Sequence, residues 1–158
     1  LGCSGGRDTF EFLKKDWKVL AVDSEIEAIK FMQNRKDLPP EADLTFQIAK
    51  FQEVDWLKCD LVNSSFALPL MSQNDFYDVW ENIKTSLNPG GRIACQLFGH
   101  KDEWSGRSGM TFHERASIFS LLKGFQIEML LEEKVDSETV LGKRKLWHLF
   151  HLVARKNY

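Results

Sequence analysis

The chain opens with Leu1-Gly2-Cys3-Ser4-Gly5-Gly6-Arg7-Asp8, a turn with three glycines in five residues. A helix-start pattern follows at once. The apolar run Val19-Leu20-Ala21-Val22 then ends in Asp23. This order of glycine turn, helix, strand and acidic residue narrows the possible folds sharply. Glycines let the backbone turn tightly and approach a ligand, and an acid at the end of the next strand can accept from two ribose hydroxyls. The pattern predicts an open α/β sheet that holds a nucleoside-bearing cofactor. A turn of this kind should be fed by a strand that sits mid-sheet. The sequence therefore reads as truncated upstream, with that first strand largely missing.

The remaining bulk features are permissive. The 158 residues suffice for one domain with a core, and 43% of them are hydrophobic. A net charge of -2 provides no general attraction to nucleic acid, and Lys and Arg form no long cluster. The three cysteines, Cys3, Cys59 and Cys95, lie in or beside apolar runs without metal-site spacing. They read as buried thiols in a reducing, cytoplasmic setting. No metal and no membrane span are expected.

Strands and helices alternate along most of the chain. Asp8 with Glu11, Ser24 with Glu27 and Thr111 with Glu114 match the capping box, which predicts three helix starts. Phe10, Leu13 and Trp17 follow the first start, and Ile26, Ile29 and Met32 the second. Phe112, Ala116, Phe119 and Leu122 follow the third, with Gly124 as its stop. A fourth helix carries Phe76, Trp80, Ile83 and Leu87, and Asn88-Pro89-Gly90-Gly91 ends it. Strands are expected at 18–22, 44–49, 59–63 and 92–98. Two more, at 125–131 and 146–154, form a closing antiparallel hairpin whose second strand is apolar on both faces. His148 and His151 fall on its opposite faces and read as packed residues. The segment 99–109, rich in Gly and Ser, reads as a mobile lid carrying Trp104.

Taken in order, LGCSGGRDTFEFL (1–13), VLAVD (19–23) and LNPGGRIACQLFG (87–99) resemble the class I S-adenosylmethionine-dependent methyltransferases. The likeness is to the small, single-domain kind related to tellurite-resistance methyltransferases, and it covers essentially the whole chain. It implies a Rossmann-like, seven-stranded α/β sheet with a C-terminal antiparallel hairpin, in one domain over residues 1–158. S-adenosyl-L-methionine is then the cofactor. The implied cofactor-binding residues are Gly2, Cys3, Ser4, Gly6, Arg7, Asp23, Ser24, Phe51 and Asn63. Phe66 ends the segment that lines the methyl-donor site in the family, and His100 and Trp104 follow the fifth strand at the ligand-binding end of the sheet; these three are the expected substrate contacts.

The sequence departs from the family at two places. Ser4 stands where a second glycine is usual, and Lys50 where an acid commonly meets the adenine amine. Asn63-Ser64-Ser65-Phe66 also lacks the prolines of enzymes that methylate nucleobase amines. With no basic surface in view, the expected acceptor is a small molecule, not nucleic acid or a membrane component.

Methyl transfer from a sulfonium is an in-line displacement, governed largely by proximity and orientation. A thiol, selenium or tellurium nucleophile needs little more. A hydroxyl or amine needs a base, for which His100 and Asp102 are the first candidates. No buried dyad is evident in the sequence, which favours the soft nucleophile. Two other classes remain open. A non-catalytic cofactor-binding or interaction domain would tolerate Ser4 and Lys50. A nicotinamide-dependent oxidoreductase requires G-x-G-x-x-G, against which Ser4 and Arg7 count.

Overall fold

The computed structural model of the chain describes residues 1–39, 41–139 and 141–158. They form two compact units, Leu1–Asp55 and Trp56–Tyr158.

In the first unit, α1 (Arg7–Leu13) leads to β1 (Val19–Asp23), α2 (Ile26–Gln33) and β2 (Leu44–Ile48). A short 3-10 turn at Phe51–Glu53 follows. β1 and β2 are parallel, in register from Val19↔Leu44 to Asp23↔Ile48. The core gathers Phe10, Ala21, Ile29 and Met32, with Cys3, Leu38, Leu44 and Phe46 packed against them. These positions combine helical spacing on α1 and α2 with the inward face of β1, as the apolar periodicity requires. Trp17 and Ile26, which the same periodicity includes, are exposed.

The second unit contains β3 (Cys59–Ser64), α3 (Gln73–Ser86) and β4 (Leu87–Gly99). The short β5 (Phe112–His113), α4 (Arg115–Leu121), β6 (Phe125–Glu138) and β7 (Arg144–Lys156) complete it. Its sheet runs β3-β4-β7-β6. β3 is parallel to β4, while β7 is antiparallel to both β4 and β6. Phe98 pairs with Leu149 of β7 and also with Phe112 of β5. The two partners must lie on opposite edges of β4, so β5 continues the edge that β3 leaves at Ser64.

Residues alternate along β4 and β7 between a fully buried face and a half-exposed one. The buried face carries Ile93, Cys95 and Leu97, paired with Ala154, Leu152 and Phe150. Phe76, Val79, Trp80 and Ile83 of α3 and Ile118 and Leu121 of α4 are buried too. The Trp80 indole N–H donates to the Leu121 carbonyl at 3.1 Å, which ties the two helices together. Lys156 Nζ donates to the carbonyls of Lys84 (2.6 Å) and Leu87 (2.7 Å), placing a cation where the helix leaves its acceptors unpaired.

The α/β class, the parallel strands and the closing hairpin agree with the sequence. Several details differ. The first unit holds the two-stranded sheet and the second the five-stranded one, and β5 is only two residues long. None of the three expected capping boxes caps its helix. Gly6, Glu25 and Glu114 are the N-caps of α1, α2 and α4, without a side-chain cap bond. At α2 the Glu25 N–H is taken by Asp23, and the Thr111 hydroxyl instead donates to the Met71 carbonyl at 2.8 Å. A side-chain cap does form at α3, where Ser72 Oγ accepts from the Asp75 N–H. Phe119 is exposed, and the buried stripe of α4 runs through Ile118, Leu121 and Leu122.

The second face of β7 is only partly covered: Leu149 is buried, but Trp147, His151 and Val153 are half-buried. Cys3 and Cys59 are likewise half-buried, while Cys95 is fully buried. Burial pushes the Cys3 thiol up to about 11 and that of Cys95 up to about 12, so both stay protonated. Among the described residues no helix is long and apolar enough to cross a membrane.

Candidate functional site

The glycine turn is built from left-handed backbone. Gly2 (φ 65°), Ser4 (φ 44°) and Gly6 (φ 81°) all lie in that region. Gly6 is required twice over, because a Cβ there would also collide with the Met32 thioether and the Phe10 ring. Ser4 adopts a conformation that disfavours any side chain, which is the physical reason glycine is usual at this place. The turn is fastened to the strand by the Cys3 N–H, which donates to the Val22 carbonyl at 3.0 Å.

Asp23 stands at the C-terminal end of β1, where open α/β sheets bind ligands. Its Oδ2 accepts from the Ser4 N–H at 2.8 Å and its Oδ1 from the Glu25 N–H at 3.0 Å. The carboxylate therefore fixes the turn to the start of α2. Each oxygen keeps a second lone pair for a hydroxyl donor.

The other candidates in this unit are less engaged. Arg7 is exposed and pairs with Asp8 at 3.0 Å. Ser24 is exposed, and Phe51 is half-buried at the start of the 3-10 turn, just after exposed Lys50.

In the second unit Asn63 is half-buried next to the end of β3, and Phe66 follows with φ 57°. The Phe66 ring is 40% exposed. It makes edge contacts with Trp147 (6.5 Å, 67°) and His151 (6.5 Å, 88°). His100 is exposed; its N–H donates to the His113 carbonyl at 2.9 Å, and its ring lies 5.5 Å from that of His148.

Asp102 is not available as a base. It is buried and ion-paired with Lys145, their side chains being 0% and 2% exposed. Its carboxylate also accepts from the N–H groups of Trp104 (2.9 Å) and His148 (3.1 Å). Trp104 corrects the lid expectation. It is half-buried, with Phe98 at 6.2 Å and Trp147 at 5.3 Å, and Lys145 Nζ lies 4.1 Å from its ring centroid. The start of the 99–109 segment is thus anchored in the unit, and Trp104 already has the apolar partners that a closing lid would have to supply.

His148 is fully buried against Gly99, where any Cβ would strike its ring. Its Nδ1 accepts from the Lys101 N–H at 3.1 Å, so Nε2 is the donor to Glu132 at 3.0 Å. Glu132 also pairs with Arg115 at 2.8 Å. Arg115 first, and then His148, hold its carboxyl below the usual range.

A family model described as a methyltransferase domain matches residues 1–91, a span that includes the glycine turn, Asp23 and Asn88-Pro89-Gly90-Gly91, which the structure places at the start of β4. The chain belongs to the methyltransferase-domain family. No curated protein matches this methyltransferase domain. Solved structures do. TehB from Haemophilus influenzae is 15% identical with a TM-score of 0.84, covering 99% of this chain and 56% of that one. The methyltransferase domain thus spans little more than half the length of that TehB chain. An S-adenosylmethionine-dependent methyltransferase from Methanosarcina mazei is 17% identical with a TM-score of 0.73, covering 99% and 90%. The N-methyltransferase NodS from Bradyrhizobium japonicum, in complex with S-adenosylhomocysteine, is 15% identical with a TM-score of 0.75, covering 99% and 76%. These likenesses establish the fold as that of S-adenosylmethionine-dependent methyltransferases.

The structure of this methyltransferase domain also brings together residues that the sequence left apart. His151 Nε2 lies 3.1 Å from Glu133 Oε2. Gln96 is the cross-strand neighbour of His151, and its Oε1 is buried without a hydrogen-bond partner among the described residues. Odd numbering puts His151 and Glu133 on alternating positions of two strands, but only the hairpin register, Leu131↔His151 and Glu133↔Leu149, makes them neighbours.

Proposed function

We propose that the chain is the catalytic domain of an S-adenosylmethionine-dependent methyltransferase acting on a small-molecule acceptor, in the cytoplasm. The observation that carries this reading is Asp23, at the end of β1 and hydrogen-bonded to the left-handed glycine turn. The turn leaves backbone open to a ligand: the atom nearest to a Cβ built at Gly5 is a Phe31 ring carbon at 3.8 Å. The acid beside it retains acceptor capacity for two hydroxyls. Both features fit a nucleoside whose ribose lies against Asp23.

When bound, S-adenosylmethionine supplies an electrophilic methyl group on a positively charged sulfur. In this reading Asp23 orients the ribose, the backbone of Gly2 to Gly6 lies along the amino-acid part, and Phe51 packs on the base. Arg7 and Ser24 are peripheral contacts. The domain's work is alignment and exclusion of water, which can contribute several kcal/mol to a displacement.

Thermal unfolding with added nucleotides tests the class. A ligand that binds only the native state raises the melting temperature. S-adenosylhomocysteine is expected to protect the chain and NADH is not. Protection by NADH alone would reject the methyltransferase reading.

A further inference from the structure

In the first unit, α2 is tied to the glycine turn at both of its ends. At its start the Asp23 carboxylate accepts from the N–H groups of Ser4 and Glu25. Just past its end Arg35 reaches back across 30 positions of chain, and its Nη1 donates to the Gly5 carbonyl at 2.9 Å. Its Nε and Nη2 donate to the two oxygens of Asp37, at 2.9 and 2.5 Å. The guanidinium carbon lies 3.8 Å from the centroid of the buried Phe10 ring of α1. Asp37 and Phe10 thus fix the plane of the guanidinium, and the edge that remains meets the turn.

The contact falls where the turn has most freedom. Gly5 and Gly6 are adjacent, and a peptide group between two glycines is the least restrained in rotation. The Gly6 N–H donates to the Cys3 carbonyl at 2.8 Å, which pins one edge of that peptide group. Arg35 pins the other edge, and no other donor among the described residues reaches the Gly5 carbonyl. The Ser4–Gly5 peptide therefore sits between one neighbour held by Asp23 and another held by Arg35. Its own N–H, that of Gly5, has no partner among the described residues.

Stability does not account for the arrangement. Asp37 is exposed, and an exposed ion pair contributes little to a fold. Gly6 is already seated against Met32 and Phe10 without help from Arg35. What the guanidinium adds is a single orientation for a peptide group in the segment that lies along the ligand.

We propose that Arg35 is a positioning residue for the cofactor, holding the glycine turn in its binding form before the ligand arrives. This rests on the S-adenosylmethionine reading and adds to it a residue outside the turn. Its charge is taken up by Asp37, so it acts through geometry and not as a counter-ion for the ligand. A turn set in advance spares the ligand the cost of ordering it. Where the competent form is only a fraction of the population, the apparent affinity falls by that fraction.

The test compares two ligands by calorimetry. Arg35→Gln removes the fork and frees the Gly5–Gly6 peptide. S-adenosylhomocysteine, whose amino-acid part lies along the turn in this reading, should bind the variant about tenfold more weakly than the parent, as for a turn in its binding form about one-tenth of the time. 5′-Methylthioadenosine has the same nucleoside without the amino-acid part, and its affinity should not change. Arg35→Lys keeps a donor for the Gly5 carbonyl and should recover part of the loss. Without ligand, the Gly6 amide should exchange with solvent faster in Arg35→Gln than in the parent, while the amides of β1 should not. Circular dichroism checks the fold of each variant. An equal loss for both ligands overturns the proposal, since it would mark a general loosening of the unit. Normal S-adenosylhomocysteine binding by the parent with no change in Arg35→Gln rejects the positioning role alone. No binding by the parent rejects the cofactor reading, and the positioning role with it.

Discussion

Replacing Asp102 by asparagine should destabilise the second unit severely. The carboxylate is fully buried and does three things at once. It pairs with the buried Lys145 ammonium, and it accepts from the backbone of Trp104 and of His148, from two different strands of chain. Asparagine keeps the shape and one carbonyl but leaves Lys145 as an uncompensated buried cation. Removing one member of such a pair typically costs about 3–5 kcal/mol. The rings of Trp147 and Trp104, 3.9 and 4.1 Å from Nζ, return some of that through cation–π attraction, on the order of 0.5–2 kcal/mol. A net loss of about 1–4.5 kcal/mol remains, a large part of a typical domain stability of ~5–15 kcal/mol.

The pH dependence carries its own sign. Burial already pushes the Lys145 ammonium below its ordinary pKa, and Asp102 partly restores it. Without Asp102 the folded-state pKa falls further below the unfolded one. The unfolded chain then binds more protons, so the variant regains stability as pH rises toward the ordinary lysine range. Urea unfolding followed by tryptophan fluorescence reads both effects, since Trp104 and Trp147 line the pair. Asp102→Asn with Lys145→Met should recover most of the loss, because an apolar replacement of both partners is often neutral or stabilising. A single variant within ~0.5 kcal/mol of the parent, or a double variant no better than the single, would refute this account of the pair.

Other variants probe the turn and the buried imidazole. Ser4→Gly should raise stability by roughly 1 kcal/mol, by removing a side chain from left-handed backbone, and chemical denaturation would register it. Gly6→Ala should lower stability by more than that, because strain and the clash with Met32 add together; an unchanged melting temperature would contradict the close packing of Gly6 on Met32. His113 is buried against Phe76, and burial pushes its pKa down to about 4. Its unfolded value is higher, so its contribution is present above pH ~6.5 and lost as pH falls from there toward 4, about 3 kcal/mol in all. His113→Phe should flatten the stability profile in that window. Glu128 and Glu132, held low by Arg92 and Arg115, are lost only at more acid pH.

The parts of the fold visible in the sequence are those fixed by local geometry. Gly2 and Gly6 mark left-handed turns, Phe76, Trp80 and Ile83 mark one stripe of α3, and Gly124, with φ 88°, stops α4. Capping boxes are a poorer guide where a nearer acceptor or donor intervenes. Asp23 takes the Glu25 N–H at the entry to α2, and Met71 takes the Thr111 hydroxyl. β6 extends to Glu138, well past the apolar stretch that ends at Leu131, because its charged end is a ribbon edge in which polar residues suffice. The Asp102–Lys145 and Glu133–His151 pairs join residues 43 and 18 positions apart. The hairpin register brings Glu133 to His151, and the turn after β4 brings Asp102 to Lys145; periodicity carries no information about either.

The most direct test of the central claim is a calorimetric titration of S-adenosylhomocysteine into the parent chain and into Asp23→Ala. The account predicts binding by the parent and a loss of about 1.5–3 kcal/mol in the variant, the cost of removing hydrogen bonds to a charged group, with the fold retained by circular dichroism. Equal affinity in the two proteins, or no binding by the parent, would contradict it.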